Sequence, residues 1–171
     1  MSGNMNLVII DTEYCDYLRK FDCRVPYNKE NKDFRPFVGV LFRINDIEYF
    51  APLSSPKPKH LKMKEFIDFI KIDDGNLGII NLNNMIPVTK NNYKVINYKE
   101  YDSNVFHDMN YYRMQQKELL WLNRNKNIII SRAYKLYTKY MNNKLPEAIR
   151  KRCCDFKLLE EKCDEYNKVL N

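Results

Sequence analysis

The first hundred residues carry short apolar runs separated by polar or turn-forming segments, and this pattern predicts strands. The runs cover residues 6–10, 37–44, 47–53, 77–81, 85–88 and 93–96. Runs of this length, bounded by Asn, Asp, Gly or Pro, are typical of strands rather than helices. Asn45 and Asp46 form a two-residue turn signal, so we expect the second and third runs to pair as an antiparallel hairpin. Pro87 should lie at a sheet edge or at a bulge.

In other segments apolar residues recur every three or four positions, and this spacing predicts helices. One such segment begins near residue 108, and the others cover 12–21, 62–71, 128–141 and 156–169. Residues 27–33 form a charged loop. Strands come early and helices late, without regular strand–helix–strand alternation, which favours the α+β class. We expect one domain over residues 1–171, sheet-rich over 1–100 and helical over 101–171, with a compact, twisted, mostly antiparallel sheet and surrounding helices.

The chain has a formal net charge of +7, and the surplus is concentrated in two regions. Residues 111–152 contain eleven Lys or Arg against two acids, and residues 52–64 contain four lysines and no acid. Tyrosines interleave with the first region, and cations with aromatic rings suit an RNA strand. A solvated helix face would carry the same charges, so this alternative stays open. The candidate RNA-binding residues are Lys59, Lys62, Lys64, Arg113, Lys117, Arg124, Arg132 and Lys135.

Cysteine and histidine usage argues against disulfides and metal sites. The five cysteines are odd in number and form no CxxC pair, so we expect reduced thiols in a cytoplasmic protein. His60 and His107 are the two histidines, far apart, and we expect neither a metal nor a cofactor. No apolar run approaches the length needed to span a bilayer, and no signal peptide opens the chain, so we expect no membrane partner.

The segment 52–60 combines two hydroxyls and two lysines in a loop that prolines stiffen. Ser54 and Ser55 follow a predicted strand, and Ser55 and Lys57 each precede a proline, which keeps both from helical conformation. A rigid hydroxyl beside a rigid ammonium suits a bound phosphate. An ordinary polar loop with solvated lysines is the alternative. Arg35 precedes the first long strand, and antiparallel pairing should bring it near this loop.

Several motifs occur along the chain in an order that one protein family shares. They are Tyr14-x-x-Tyr17-Leu18-x-x-Phe21, Phe37-Val38-Gly39-Val40, Tyr49-Phe50-Ala51-Pro52-Leu53-Ser54-Ser55-Pro56-Lys57 followed by His60, Leu77-Gly78-Ile79-Ile80-Asn81-Leu82-Asn83-Asn84-Met85-Ile86-Pro87-Val88, and Cys154-Asp155-Phe156-Lys157-Leu158-Leu159-Glu160-Glu161-Lys162. The ordered set covers nearly the whole chain, and it resembles the ToxN/AbiQ family of type III toxin–antitoxin systems.

The resemblance implies a fold similar to that of MazF/Kid-like toxins. It implies a sequence-specific, metal-independent endoribonuclease that cuts mRNA and leaves a 2′,3′-cyclic phosphate and a 5′-hydroxyl. It implies as inhibitor an RNA antitoxin made of pseudoknot repeats, which the toxin cuts from a precursor and joins in a closed ring of alternating protein and RNA. The implied role is phage defence by abortive infection, and no DNA partner is expected.

The resemblance also implies a set of active-site residues. Ser55 matches the family's active serine, Ser54 the preceding hydroxyl, Lys57 the active lysine, and Tyr14 a tyrosine on the first helix. Arg35 stands where the family pattern has a lysine, and arginine stays protonated, so it cannot serve as a base. Packing in the core is an alternative role for Tyr14.

These residue types suit cleavage by the RNA's own 2′-hydroxyl. The protein then has to align the attack, stabilise the extra charge on phosphorus and protonate the leaving 5′-oxygen. Lys57 and Arg35 suit charge stabilisation, Ser55 suits contact with a phosphate oxygen, and His60 suits acid–base work. A module that binds structured RNA without cutting it is the alternative function. A DNA-binding regulator is a third, although the chain has no helix-turn-helix signal.

Overall fold

One antiparallel sheet and six helices form the part of the chain that the structure, a computed structural model, describes; this part comprises residues 3–27 and 35–170. The strands are β1 Asn6–Ile10, β2 Phe37–Gly39, β3 Arg43–Ile44, β4 Ile47–Ser54, β5 Ile70–Lys71, β6 Ile79–Ile80, β7 Ile86–Val88 and β8 Tyr93–Val95. The helices are α1 Thr12–Arg19, α2 Pro58–Lys62, α3 Met109–Arg124, α4 Lys126–Met141, α5 Glu147–Arg150 and α6 Phe156–Leu170.

Strand β4 is the centre of the sheet. The order of the main path is β5-β6-β4-β2-β1-β8, and β3 and β7 also pair with β4. Every pairing is antiparallel, and all residues of β4 except the last are buried. The predicted α+β class with an antiparallel sheet is therefore confirmed. Similarity to MazF/Kid-like toxins stays a prediction.

The apolar run 37–44 was expected to form one continuous strand, and this prediction is wrong. Phe37 pairs with Pro52, whereas Arg43 pairs with Glu48, so two extra residues lie between the two halves of the run. Gly39 lies at this irregularity, against the ring of Phe50. A Cβ added there would lie 2.4 Å from a ring carbon, so the close approach requires glycine. Sequence pattern alone does not reveal such a bulge.

The prediction of a helix over 62–71 is also wrong, because the helix in this region, α2, covers Pro58–Lys62. Pro58 occupies the first helical position of α2, where its missing N–H has no cost. The helix ends at Met63, whose backbone is extended. Phe66, which we expected on an apolar helix face, is half exposed.

Long-range hydrogen bonds replace helical ones in the segment after α2. The Arg132 guanidinium in α4 donates to a Glu65 carboxylate oxygen over 2.9 Å and to the carbonyls of Phe66 and Phe69 over 2.6 and 2.9 Å. Such bonds come from residues distant in sequence, and no local pattern predicts them.

The other predicted helices are confirmed with shifted ends. Asp108 caps α3, because its carboxylate accepts the Tyr111 N–H over 2.7 Å. Helix α6 packs against β7, α1 and α4. Pro87 lies in β7, which pairs with β4 alone among the described strands, as expected of an edge position. Most of the predicted loop 27–33 lies outside the described residues.

All five cysteines are free thiols, and four of them are buried. In residues 3–27 and 35–170, no helix combines the length and the apolar character that crossing a membrane requires.

Candidate functional site

The loop that follows β4 exposes the predicted hydroxyl and lysine. Ser54 is the last residue of β4 and is partly buried, whereas Ser55, Pro56 and Lys57 are exposed. Lys57 has extended backbone, with φ −135° and ψ 150°, as its position before a proline predicts. Both side chains that we expected to contact a phosphate are therefore open to solvent.

Asn81 holds the Ser54 hydroxyl from the neighbouring strand. Its side-chain Nδ2–H donates to Ser54 Oγ over 2.7 Å, and its backbone N–H donates to the Pro52 carbonyl over 3.0 Å. Because Oγ accepts from Asn81, the hydroxyl proton of Ser54 is available to another acceptor. Sequence reasoning missed Asn81 as a site residue. The signal that could have identified Asn81 is its position directly after a strand. If that strand pairs with β4, Asn81 lies near Ser54.

Two glycines allow the chain to approach the loop closely. Gly78 has φ +99°, and a Cβ there would lie 2.0 Å from the Ser54 carbonyl oxygen. Gly75 has φ +95°, and its Cβ would lie 2.6 Å from the carbonyl oxygen of His60. Only glycine has both the positive φ and the missing side chain that these contacts require. The two residues thus fix the backbone on either side of the exposed loop.

His60 is buried inside the loop and hydrogen-bonds with the backbone of Lys57. It is 1% exposed, its Nδ1 accepts the Lys57 backbone N–H over 3.2 Å, and its own N–H donates to the Lys57 carbonyl over 2.9 Å. Burial lowers the pKa of His60, and Lys59, Lys57 and Lys71 lower it further. This burial argues against direct proton transfer to a substrate. We interpret His60 as a residue that positions Lys57.

Arg35 lies where antiparallel pairing predicted it. Phe37 pairs with Pro52, and the Pro36 carbonyl accepts the Leu53 N–H over 3.0 Å. Continued by one residue, the same register places Arg35 opposite Ser54. Arg35 is exposed. The structure therefore brings its backbone to the same end of the sheet as the loop.

Tyr14 lies in the core and has no exposed surface. Its hydroxyl donates to the Pro87 carbonyl over 2.5 Å, and its ring packs edge-on against Tyr166. Burial raises its pKa well above the ordinary value. In this conformation Tyr14 is a packing residue, which favours the core alternative over contact with a base or a phosphate.

Seven of the eight candidate RNA-binding residues are exposed, and Arg132 is the exception. Its guanidinium already donates to the Glu65 carboxylate and to the Phe66 and Phe69 carbonyls, so its predicted RNA contact is not supported. Arg113, Lys117 and Arg124 lie four and seven residues apart in α3, which places them on one helix face. The turn Ile72–Gly75 packs against both α2 and α3, and so joins the loop to this basic helix.

No group of three or more His, Cys, Asp or Glu within the described ranges is placed to hold a metal ion. The side chains gathered at the end of β4 are hydroxyls, an amide and cations. The protein is therefore an α+β domain with an exposed serine–lysine loop beside a basic helix. Hydroxyl and cationic groups of this kind suit a phosphodiester ligand.

The comparisons with known proteins give the family. The sequence profile described as Toxin ToxN, type III toxin–antitoxin system, matches residues 6–164. The chain belongs to this family of type III toxins. It is 37% identical over 161 residues to Endoribonuclease ToxN of Bacillus thuringiensis subsp. kurstaki, covering 92% of this chain and 81% of the relative.

Two further comparisons agree. Endoribonuclease AbiQ of Lactococcus lactis subsp. lactis is 32% identical over 169 residues, which cover 93% of this chain and 87% of AbiQ. A solved structure of a type III system, described as selective toxin inhibition by a non-coding RNA pseudoknot, superposes with a TM-score of 0.81 at 34% identity. The superposition covers 96% of this chain and 99% of the chain in that structure. AbiQ is described as an anti-phage endoribonuclease, in agreement with the expected class of antiviral toxin.

Proposed function

We propose that this protein is a sequence-specific, metal-independent endoribonuclease toxin that acts in phage defence by abortive infection. The observation that carries the proposal is the exposed Ser55–Lys57 loop, joined to β4 at Ser54 and held there by Asn81. The names of the ToxN and AbiQ relatives support RNA as the substrate. The exposed cations of α2 and α3 support an anionic partner.

In the proposed reaction the 2′-oxygen of one nucleotide attacks the adjacent phosphorus, and the bond from phosphorus to the 5′-oxygen breaks. The attacking 2′-hydroxyl loses its proton to solvent and the leaving 5′-oxygen takes one up, so the products are a 2′,3′-cyclic phosphate and a 5′-hydroxyl. Lys57 and Arg35 stabilise the charge on the non-bridging oxygens. Ser55 contacts a phosphate oxygen. Ser54, whose oxygen already accepts from Asn81, donates its proton toward the same group.

The protein is inhibited, in this proposal, by an RNA antitoxin built of pseudoknot repeats, which it cuts from a longer precursor. The support is the solved type III structure, which is described as toxin inhibition by an RNA pseudoknot. We propose a closed ring of alternating protein and RNA, and mRNA as the cellular substrate. The cations exposed on α2, α3 and α4 form the contact surface; they are Lys59, Lys62, Arg113, Lys117, Arg124 and Lys135.

The test is cleavage of an A-rich RNA in EDTA by the wild type and by Ser55→Ala and Lys57→Ala. We expect cyclic-phosphate ends with the wild type, loss of cleavage by about a hundredfold or more in each variant, and retained RNA binding. Leu61→Ala, an exposed position in α2, is a matched control that should cleave normally. Unchanged cleavage in both site variants would contradict the assignment. Binding without cleavage by the wild type would favour a structured-RNA-binding module instead.

A further inference from the structure

An open cleft lies at the opposite end of β4 from the serine–lysine loop. The bulge between β2 and β3 places both Leu41 and Phe42 opposite Tyr49, and a cleft of about 440 Å³ lies beside it. The N-terminal residues 3–6 form the facing wall. The volume lies within the range of small-ligand sites, and bulges often lie beside such sites. Glu48 is six residues from Ser54, which corresponds to roughly 20 Å along a strand.

Glu48 lines this cleft and is a buried carboxylate with poor hydrogen bonding. It is 1% exposed. Its contacts are with the Tyr93 hydroxyl, 3.3 Å from each carboxylate oxygen, and with one Arg43 nitrogen at 3.4 Å. These distances exceed those of ordinary charge-assisted hydrogen bonds, which are near 2.8 Å. An ionised carboxylate accepts about four hydrogen bonds, so Glu48 has acceptor capacity that the described residues do not fill. Each oxygen has a partner, but only at a long distance, so a ligand with closer and better-aligned donors would bind this carboxylate more strongly.

The chemistry of the cleft favours a nucleobase with two adjacent donors. Two carboxylate oxygens match a pair of parallel N–H groups, as in their pairing with arginine. Among the RNA bases, guanine presents two donors side by side, at N1 and at its 2-amino group. Tyr93, whose hydroxyl contacts Glu48, lines the cleft with an aromatic side chain, and Lys90 contributes an exposed cation that suits the attached phosphate. Adenine, cytosine and uracil each place an acceptor beside the donor, which would face a carboxylate oxygen.

The geometry points to a binding pocket for an unpaired guanine of an RNA strand, with its Watson–Crick edge on Glu48. This inference rests on the RNA-binding function proposed above. The entering base replaces the long contacts of Arg43 and Tyr93, which are already at the limit of hydrogen bonding. The pocket gives the protein a sequence preference at a distance from the bond that it cuts.

The test uses a short 2′-O-methyl RNA, which lacks the attacking hydroxyl and so cannot be cleaved by this route. It carries one guanine among adenines and uracils, and a second RNA carries inosine there, which lacks the 2-amino group. We expect the wild type to bind the guanine RNA about tenfold to a hundredfold more tightly. Glu48→Gln should remove the difference, whereas Lys90→Ala should weaken both RNAs equally. Glu100→Gln, an exposed acid in another loop, is the control.

Equal affinity of the wild type for both RNAs would overturn the inference, and so would a preference that persists in Glu48→Gln. If Glu48→Gln fails to fold, photocrosslinking of a 6-thioguanosine RNA to the wild type decides the location. Crosslinks to residues 40–43 or 90–93 support the pocket, and crosslinks confined to other segments contradict it. Cleavage of unmodified RNA is followed in parallel. Loss of cleavage with guanine preference intact would count against the proposed function alone, whereas cleavage without guanine preference would count against the pocket alone.

Discussion

Asn81 donates its side-chain N–H to the hydroxyl oxygen of Ser54 over 2.7 Å, across the pairing of β4 with β6. The direction of this bond supports the proposed role of the serine. An oxygen that accepts from Asn81 keeps its own proton for another acceptor, which in the proposed reaction is a phosphate oxygen. We therefore propose that Asn81 acts through Ser54 as a positioning residue.

Replacement of Asn81 should slow cleavage without abolishing RNA binding. Asn81→Ala frees the hydroxyl to rotate, and we expect kcat to fall by about tenfold to a hundredfold with KM little changed. Asn81→Asp reverses the bond, because a carboxylate accepts from Ser54 and draws its proton inward, so its kcat should fall further. Single-turnover kinetics with each variant measure the effect. Equal activity of Asn81→Ala and the wild type would show that the Ser54 orientation has no catalytic role.

Gly78 should tolerate no side chain. A Cβ at this position would meet the Ser54 carbonyl oxygen at 2.0 Å, and its φ of +99° is unfavourable for alanine. We expect Gly78→Ala to lower the free energy of unfolding by about 1–3 kcal/mol and to reduce cleavage. Chemical denaturation and an RNA cleavage assay measure the two effects. Gly3→Ala is the matched control, since nothing lies within 4 Å of a Cβ there. A stable, fully active Gly78→Ala would show that the loop adjusts freely.

His60 should make stability depend on pH in the weakly acidic range. Its pKa is lowered from 6.5 in the folded state, chiefly by burial, so the unfolded chain binds this proton more readily. The contribution of His60 to stability is present above pH 6.5 and is lost as the pH falls toward the folded-state pKa. We expect His60→Asn, whose carbonyl oxygen replaces Nδ1 as acceptor, to weaken this dependence. Unfolding free energies at pH 7.5 and 5.5 test it, and identical slopes for variant and wild type would contradict it.

Local pattern predicted most elements of this fold, but it missed the break in the run 37–44, the true position of α2 and the tertiary contacts that shape the site. Strand and helix periodicity located the sheet and the long helices, and the proline positions located the exposed Ser55–Lys57 loop. The bulge near Gly39 escaped prediction because it depends on the Phe50 ring, which reaches it from another strand. Asn81 escaped because its partner is 27 residues away in sequence.

Lys117 and Arg132 carry the same charge but should behave differently when they are replaced. Lys117 is exposed on the basic face of α3, so Lys117→Ala should weaken RNA binding and lower the slope of log affinity against log salt by about 0.7 to 0.9. Arg132→Ala should instead destabilise the fold by about 1–3 kcal/mol, since it leaves the Phe66 and Phe69 carbonyls without their donor. Titration at several salt concentrations and thermal unfolding separate the two effects. A salt slope unchanged in Lys117→Ala would place the RNA on another face.

Glu118 should make the folded protein less stable at neutral pH than at acidic pH. Because its carboxyl group stays protonated in the folded protein, it should not repel a bound anion. It is 2% exposed, its Oε2 has no hydrogen-bond partner among the described residues, and burial raises its pKa from 4.5 to about 8. The folded state therefore holds a proton that the unfolded state releases, and stability falls as the pH rises from 4.5 to 8. Between pH 5 and 7 the loss is about 2 kcal/mol.

The test for Glu118 is a comparison of Glu118→Gln with the wild type by urea unfolding at pH 5 and pH 7. The glutamine has no proton to lose, so the variant should gain stability relative to the wild type by about 2 kcal/mol over this range. Glu147→Gln, an exposed acid, is the control and should show no such gain. A protonated Glu118 also removes one of the two negative charges from residues 111–152. Glu118→Gln should consequently bind RNA as tightly as the wild type at neutral pH, and clearly tighter binding by the variant would show that Glu118 is ionised in the folded protein.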